Sequence, residues 1–392
     1  MNVTGYAFPW DALDDDGASA RASDLGVDVI ALAATYHATR VVTPLNPSRR
    51  VLDVPHSAAY FPIRPKVWRD QRLKPHVPGW IASGDSFNDA AQRFEAAGLP
   101  VVAWVVVAHD DDLGVANPEI VVRNAFDEPY PYALCPSNEE FRSYSGTLVE
   151  EIMSTTPAAG VVLEACGAVG VDHGGLHDKS DMAGMSEAER GLLSICFCRA
   201  CRDALGEANL DASELASRVR RALSGPIESM ESALGEDLAR QVADFRAGLS
   251  SSLRSELTER ARSVRPDATV TAHANASRWA TGSFPALGDS ANATELTTVV
   301  ANCWNEALAD SELTQMKELL GQGVNLGAYV RADRVGGNPT ETIERYRMLG
   351  MNELHLYHLG LFNRPSLEVA REMISACHRT EGAGATYDRG HD

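Results

Sequence analysis

Cys196-Phe197-Cys198-Arg199-Ala200-Cys201 places three thiols in one C-x-C-x-x-C run. Tetrahedral zinc takes four soft ligands at about 2.3 Å, and a run of this kind supplies three of them with little extra ordering of the chain. Cys135, in Leu134-Cys135-Pro136-Ser137, is the first choice for the fourth, since a thiolate in a turn ahead of a helix can point outwards. Cys166, just past an apolar run, is the competitor. Four thiolates fill the coordination sphere, so Cys135, Cys196, Cys198 and Cys201 would hold a structural zinc and not a catalytic one. The bland reading is that these are buried small hydrophobes.

Glu164 closes the apolar run Gly160-Val161-Val162-Leu163. A carboxylate at the end of a parallel strand stands at the C-terminal mouth of an α/β barrel, and partial burial there raises its pKa and suits it to give a proton to a leaving oxygen. A structural ion pair at the rim is the alternative. Cleavage of a glycosidic bond needs a second carboxylate about 5 to 9 Å away. By position the candidates are Asp110, Asp111, Asp333 and Glu306, with Asp110 and Asp333 preferred. His37, His109, His273 and His358 each follow a predicted strand, and His173 and His177 lie in the loop after Glu164. Strand-end histidines of one barrel converge on one pocket. Together with Tyr36, Trp304 and Arg331, the histidines His37, His109, His173, His273 and His358 make up the expected substrate contacts. Histidines and carboxylates in one mouth also describe a metal-dependent isomerase or lyase.

The elements that must position these residues are predicted as eight strands alternating with helical segments. The strands run over Gly5–Trp10, Val27–Thr35, Val101–Ala108, Gly160–Glu164, Ala268–Ala272, Thr297–Ala301, Asn325–Val330 and Glu353–Tyr357. Unbroken apolar runs of this kind suit parallel strands covered on both faces. The pattern predicts an α/β TIM (β/α)8 barrel as a single domain over residues 1–380, with a helical, zinc-linked insertion at about 186–263 between strands four and five and a disordered tail over 381–392. Residues 38–82 read as a long loop without a period. Ser137 with Glu140, and Ser186 with Glu189, read as capping boxes. The long apolar stripe from Pro226 to Ser263 reads as a barrel helix with an extension, or as a dimer contact.

The chain has 392 residues and a net charge of −19, which disfavours nucleic acid as a partner because phosphates would be repelled. Met1-Asn2-Val3-Thr4 lacks the basic start and apolar core of an export signal, and no run is long and apolar enough to span a bilayer. The expectation is a cytoplasmic protein whose seven cysteines are reduced thiols, with no membrane partner and a small-molecule or oligosaccharide substrate.

Cys135-Pro136-Ser137-Asn138 followed by Phe141-Arg142, then Glu164 at a strand end, then C-x-C-x-x-C leading into a helix, resembles the zinc-bearing segment of the family-42 β-galactosidases and of related glycosidase-like barrels. The likeness covers roughly residues 117–205. It implies a glycoside hydrolase in which Cys135, Cys196, Cys198 and Cys201 share a zinc beside the barrel and Glu164 is the acid/base. The family's Asn-Glu pair is here Leu163-Glu164, and its strand-seven glutamate has no counterpart in Tyr329-Val330-Arg331-Ala332-Asp333, which leaves a non-catalytic carbohydrate-binding barrel as a further alternative.

Overall fold

The computed structural model describes residues 1–172, 179, 183–288 and 295–379. Eight parallel strands close on themselves: β1 (Asn2–Ala7), β2 (Val29–Tyr36), β3 (Val101–Val106), β4 (Gly160–Glu164), β5 (Thr269–His273), β6 (Thr298–Asn302), β7 (Asn325–Arg331) and β8 (Glu353–Tyr357). Neighbours in sequence are neighbours in the sheet, and the ring closes where β1 pairs with both β2 (Thr4 opposite Val29) and β8 (Gly5 opposite Leu356). This is a TIM barrel. The strands read as apolar runs because one face packs in the barrel interior and the other beneath the outer helices.

Seven of the eight strand predictions lie within two residues of the observed ends, and among them β4 and β8 coincide with theirs. The clear shift is at β1, which covers Asn2–Ala7 rather than Gly5–Trp10, because Pro9 opens the short helix Pro9–Leu13. Proline's missing N–H costs nothing in a first turn, and the Asp11 carboxylate accepts from the Phe8 N–H at 2.8 Å. The 38–82 stretch is not structureless. It holds the hairpin Thr39–Val42 with Val51–Val54, and Ala58–Ala59 runs antiparallel to the end of β2. Each of these strands is too short to show a period. A second hairpin, Val121–Arg123 with Pro129–Leu134, leads to Cys135.

The helix after that hairpin, Glu139–Thr155, is capped by Asn138, whose side chain accepts from the Phe141 N–H at 3.0 Å. Ser137 and Glu140 therefore form no capping box, and Glu140 pairs with Arg72. The box at Ser186 and Glu189 does form, with bonds of 3.2 and 2.7 Å.

Between β4 and β5 lie the helices Glu187–Leu193, Arg199–Glu207, Ala212–Ala222, Met230–Leu234 and Glu236–Val264. The predicted continuous stripe from 226 is broken at Gly235, whose φ of +84° ends one helix and starts the next. The insertion has its own apolar cluster, in which Leu192, Phe197, Leu205, Leu215 and Val219 pack with Val242 of the long helix. Farther along, that helix packs against Glu139–Thr155, with Leu253, Leu257 and Ala261 buried. The 381–392 tail lies outside the described residues. No helix among the described residues is long and apolar enough to cross a membrane.

Candidate active site and cysteine cluster

A cavity of about 580 Å³ opens at the C-terminal ends of the strands. Tyr36, Glu164, Asn302, Tyr329 and Tyr357 enter it from β2, β4, β6, β7 and β8, and the loop after β5 adds Trp279, Ser283 and Phe284. Trp304 stacks on Tyr329 at 5.7 Å, and the Tyr36 and Tyr357 hydroxyls lie 3.4 Å apart. The result is an aromatic bowl with one buried carboxyl at its base.

That carboxyl is Glu164, 6% exposed. Its Oε2 accepts from Trp104 Nε1 at 2.7 Å. Burial pushes its pKa up to about 7, against the hydrogen bonds of Trp104 and Ser283, which pull it down. A carboxyl so placed can hold a proton near neutrality and release it into the cavity.

Behind Glu164 a polar chain runs down the barrel interior. His273 Nδ1 lies 3.6 Å from Glu164 Oε2, and His273 Nε2 lies 2.8 Å from the Tyr6 hydroxyl. Tyr6 reaches His355 Nδ1 at 3.2 Å, and His355 Nε2 meets Glu353 Oε2 at 3.3 Å. Thr298 and Asn325 donate to Glu353 at 3.1 and 2.7 Å. Gly327 makes room for this chain, since a Cβ there would stand 2.8 Å from His355 Cδ2. Burial holds His273 well below the ordinary imidazole range, so its ring is neutral.

The predicted residues divide. Tyr36, His37, Glu164 and Trp304 line the cavity. His273 touches Glu164 from behind. Arg331 lies over the Trp304 ring at 5.3 Å, but its fork is engaged by Asp333 at 3.0 and 2.6 Å. Asp333 is half exposed, does not line the cavity, and is held below the usual carboxylate range by Arg331.

Asp110 caps the helix Asp111–Ala116, accepting from the Leu113 N–H at 3.0 Å, and burial pushes it up to about 7. With His109 it borders a smaller, separate cavity. His109 packs on His37 at 4.3 Å, and its Nε2 is 3.6 Å from Asp111. His358 is buried against Phe8 at 4.1 Å and pushed down to about 3 by burial. Glu306 pairs with Arg345 at the start of its helix. His173 and His177 lie outside the described residues.

Sequence reasoning did not single out Asn275, Glu187 or Glu312, which also line the cavity. Glu312 is half-buried and pushed up by desolvation; its Oε1 accepts from Asn275 Nδ2 at 3.0 Å, and its Oε2 has no hydrogen-bond partner among the described residues. It sits within a helix, where no strand-end argument would find it. Asp172 also lines the cavity and pairs with Arg190.

Beside the barrel, Cys135, Cys196, Cys198 and Cys201 bring their sulfurs within 4.8 Å of one another. Cys135 Sγ lies 3.4 Å from Cys201, 3.5 Å from Cys198 and 3.8 Å from Cys196. A tetrahedral metal with bonds of about 2.3 Å sets its sulfurs about 3.8 Å apart, so the cluster could hold a metal ion. Backbone N–H groups already point at these sulfurs, from Arg123 and Cys198 to Cys196 and from Cys201 to Cys198, at 3.4 to 3.5 Å. Cys166, the rival ligand, is buried elsewhere and outside the cluster.

No family model matches the chain, and no curated protein does. Solved structures do. The glycoside hydrolase domain of PgaB (BpsB) from Bordetella bronchiseptica superposes with a TM-score of 0.60 at 14% identity, over 95% of this chain and 99% of that one. A β-galactosidase from the haloarchaeon Halorubrum lacusprofundi gives 0.58 at 12% identity, over 98% of this chain and 59% of that one. An α-L-fucosidase isoenzyme from Paenibacillus thiaminolyticus gives 0.55 at 12% identity, over 96% of this chain. This chain spans about half, 49%, of the fucosidase's length. These similarities show a fold shared with glycoside hydrolases.

Proposed function

We propose that the protein is a glycoside hydrolase and that Glu164 is its general acid. The observation that carries this reading is a carboxyl near pKa 7, buried at the end of β4 and opening on an aromatic cavity. Aromatic faces suit the apolar faces of sugar rings, and the cavity is of a size for a small ligand. Protonation of the leaving oxygen by Glu164 would favour an oxocarbenium-like transition state, and such acid catalysis contributes typically about 10²–10⁴-fold. A second carboxylate must reach the same space. Asp110 and Asp333, the positional choices, are occupied as a helix cap and as a partner of Arg331. Glu312, with its free oxygen and its place in the cavity lining, is better supported for that role.

The four cysteines are proposed to hold a structural zinc. The set is all thiolate and would leave no position open for substrate, so no step of the reaction passes through the metal. Reduced thiols of this kind suit the cytoplasm. The rival reading, a metal-dependent isomerase or lyase built on the mouth histidines, finds less support. Among the described residues the four cysteines are the single group arranged to hold a metal.

Glu164→Gln tests the acid. Turnover of glycosides with poor leaving groups should fall at least about 100-fold, while glycosides with acidic phenol leaving groups, which need no protonation, should suffer far less. Equal loss on both, or no loss, would sink the assignment.

A further inference from the structure

The long helix Glu236–Val264 carries two buried arginines, and they are treated differently. Arg254 gives its fork to the Ala286 and Leu287 carbonyls and to Ser251 Oγ. Arg246, two turns earlier and 6% exposed, has no hydrogen-bond partner for either terminal nitrogen among the described residues. Among the described residues no carboxylate pairs with it. Its guanidinium lies over the Trp279 ring at 5.3 Å. It also lines a small cleft together with Cys135, Cys196 and Cys201.

A guanidinium remains charged in proteins, and leaving such a charge unpaired out of water is strongly unfavourable. The compensating anion has to be close and has to be compact enough to share that cleft. Four thiolates around a divalent ion carry a net charge of −2. The tetrathiolate is already met by backbone N–H groups at 3.4 to 3.5 Å, but those carry no full charge. Arg246 is the buried cation beside it.

We propose that Arg246 is the counter-ion of a dianionic tetrathiolate metal centre. We propose further that, by stacking on Trp279, it ties that centre to the wall of the barrel-mouth cavity. Trp279 belongs to the loop after β5, whereas the cysteines belong to the insertion and to the turn before Glu139–Thr155. The metal then does more than pin two loops. By holding four sulfurs as thiolates it maintains the anion that keeps Arg246 buried, and Arg246 in turn holds an aromatic face of the cavity in place.

The inference rests on the metal reading above, and the experiment separates the two. Wild type, Arg246→Met and Arg246→Lys are loaded with Zn²⁺, and its dissociation constant is measured by competition with a chromophoric chelator at fixed pH. Wild type should bind one zinc, Met should bind it at least about tenfold more weakly, and Lys should recover most of the loss. Removal of zinc from wild type should also change the near-ultraviolet circular dichroism, and that change should shrink in Trp279→Phe. If the Met variant does not fold, Arg246→Gln replaces it, with the same ranking expected against Lys. Zinc affinity within twofold of wild type in Met or Gln overturns the counter-ion proposal. An unchanged spectral response in Trp279→Phe overturns the link to the cavity. Absence of zinc binding by wild type overturns the metal reading itself, and this inference with it.

Discussion

Trp104 Nε1 donates to Glu164 Oε2 at 2.7 Å, across the β3–β4 pair. The two residues stand on adjacent strands with Trp104 opposite Val162, so the indole reaches up along the inside of the barrel to the carboxyl two residues farther on. The bond stabilises the carboxylate form and opposes the rise caused by burial. Trp104→Phe removes the donor and keeps most of the apolar volume. The Glu164 pKa should then rise above about 7. A hydrogen bond to a charged group is worth about 1.5–3 kcal/mol, which corresponds to roughly one to two pH units. In the proposed role of general acid Glu164 fails when it loses its proton, so the high-pH limb of kcat/KM should move upward by that amount. A limb that stays put or moves down would show that the indole does not tune this group.

Asp110 provides a pH dependence of stability that is separate from catalysis. Burial pushes its folded pKa up to about 7, well above the roughly 3.9 of an unfolded aspartate. Between those values the folded chain binds more protons than the unfolded chain, so stability falls as pH rises, by up to about 1.4 kcal/mol per pH unit for this one group. Asparagine caps a helix as well as aspartate does and does not titrate. Asp110→Asn should therefore match wild type near pH 4, and become progressively more stable than it up to pH 8 in urea unfolding series. Parallel pH profiles for the two proteins would contradict the burial argument.

The barrel itself was legible because parallel strands buried on both faces leave unbroken apolar runs, and Glu353–Tyr357 is bounded so sharply by its neighbours that the prediction and the strand coincide. Glu164 was legible because a rim carboxylate follows directly from such a run. The cysteines were legible because ligand spacing is local, and the structure brings the distant Cys135 to the run as expected. Direction was not legible. Tyr357 enters the cavity, whereas His358, the next residue, is buried against Phe8 and does not line it. Tyr6 and His355 sit at inward positions of β1 and β8, where a sequence pattern cannot separate a core polar residue from an outward one. Glu312 reaches the cavity from within a helix, through packing that depends on the whole barrel.

Removal of the proposed metal should weaken the insertion before the barrel. The sulfurs join Cys135, in the turn before Glu139–Thr155, to the start of Arg199–Glu207, and the second apolar cluster hangs on that junction. Binding energy that exists only in the folded state is folding energy. Stripping with a chelator, or Cys201→Ser, should lower the thermal midpoint by several degrees, and hydrogen exchange should speed up first in residues 187–234. Uniform exchange across the chain, or an unchanged midpoint, would argue that the thiols are only packing.

The interior chain makes a sharper test of buried polar pairing. The Tyr6 hydroxyl is shared between His273 Nε2 at 2.8 Å and His355 Nδ1 at 3.2 Å. Tyr6→Phe keeps the edge-on ring contacts with Trp104 at 5.0 Å and Tyr329 at 4.8 Å, so apolar packing survives. What it leaves is two buried imidazole nitrogens without that partner, and each buried unsatisfied group costs about 1–3 kcal/mol. The expected loss is on the order of 2 kcal/mol or more by denaturant unfolding. Tyr36→Phe is the control, because its hydroxyl makes one long contact of 3.4 Å at the cavity surface and should cost under about 1 kcal/mol. Tyr6→Phe also frees His273 to turn its N–H toward Glu164, 3.6 Å away. A donor there favours the carboxylate, so the Glu164 pKa should fall, opposite in sign to Trp104→Phe. Equal stability losses in the two tyrosine variants, or a Glu164 shift of the same sign as in Trp104→Phe, would show that the chain is packed but not coupled.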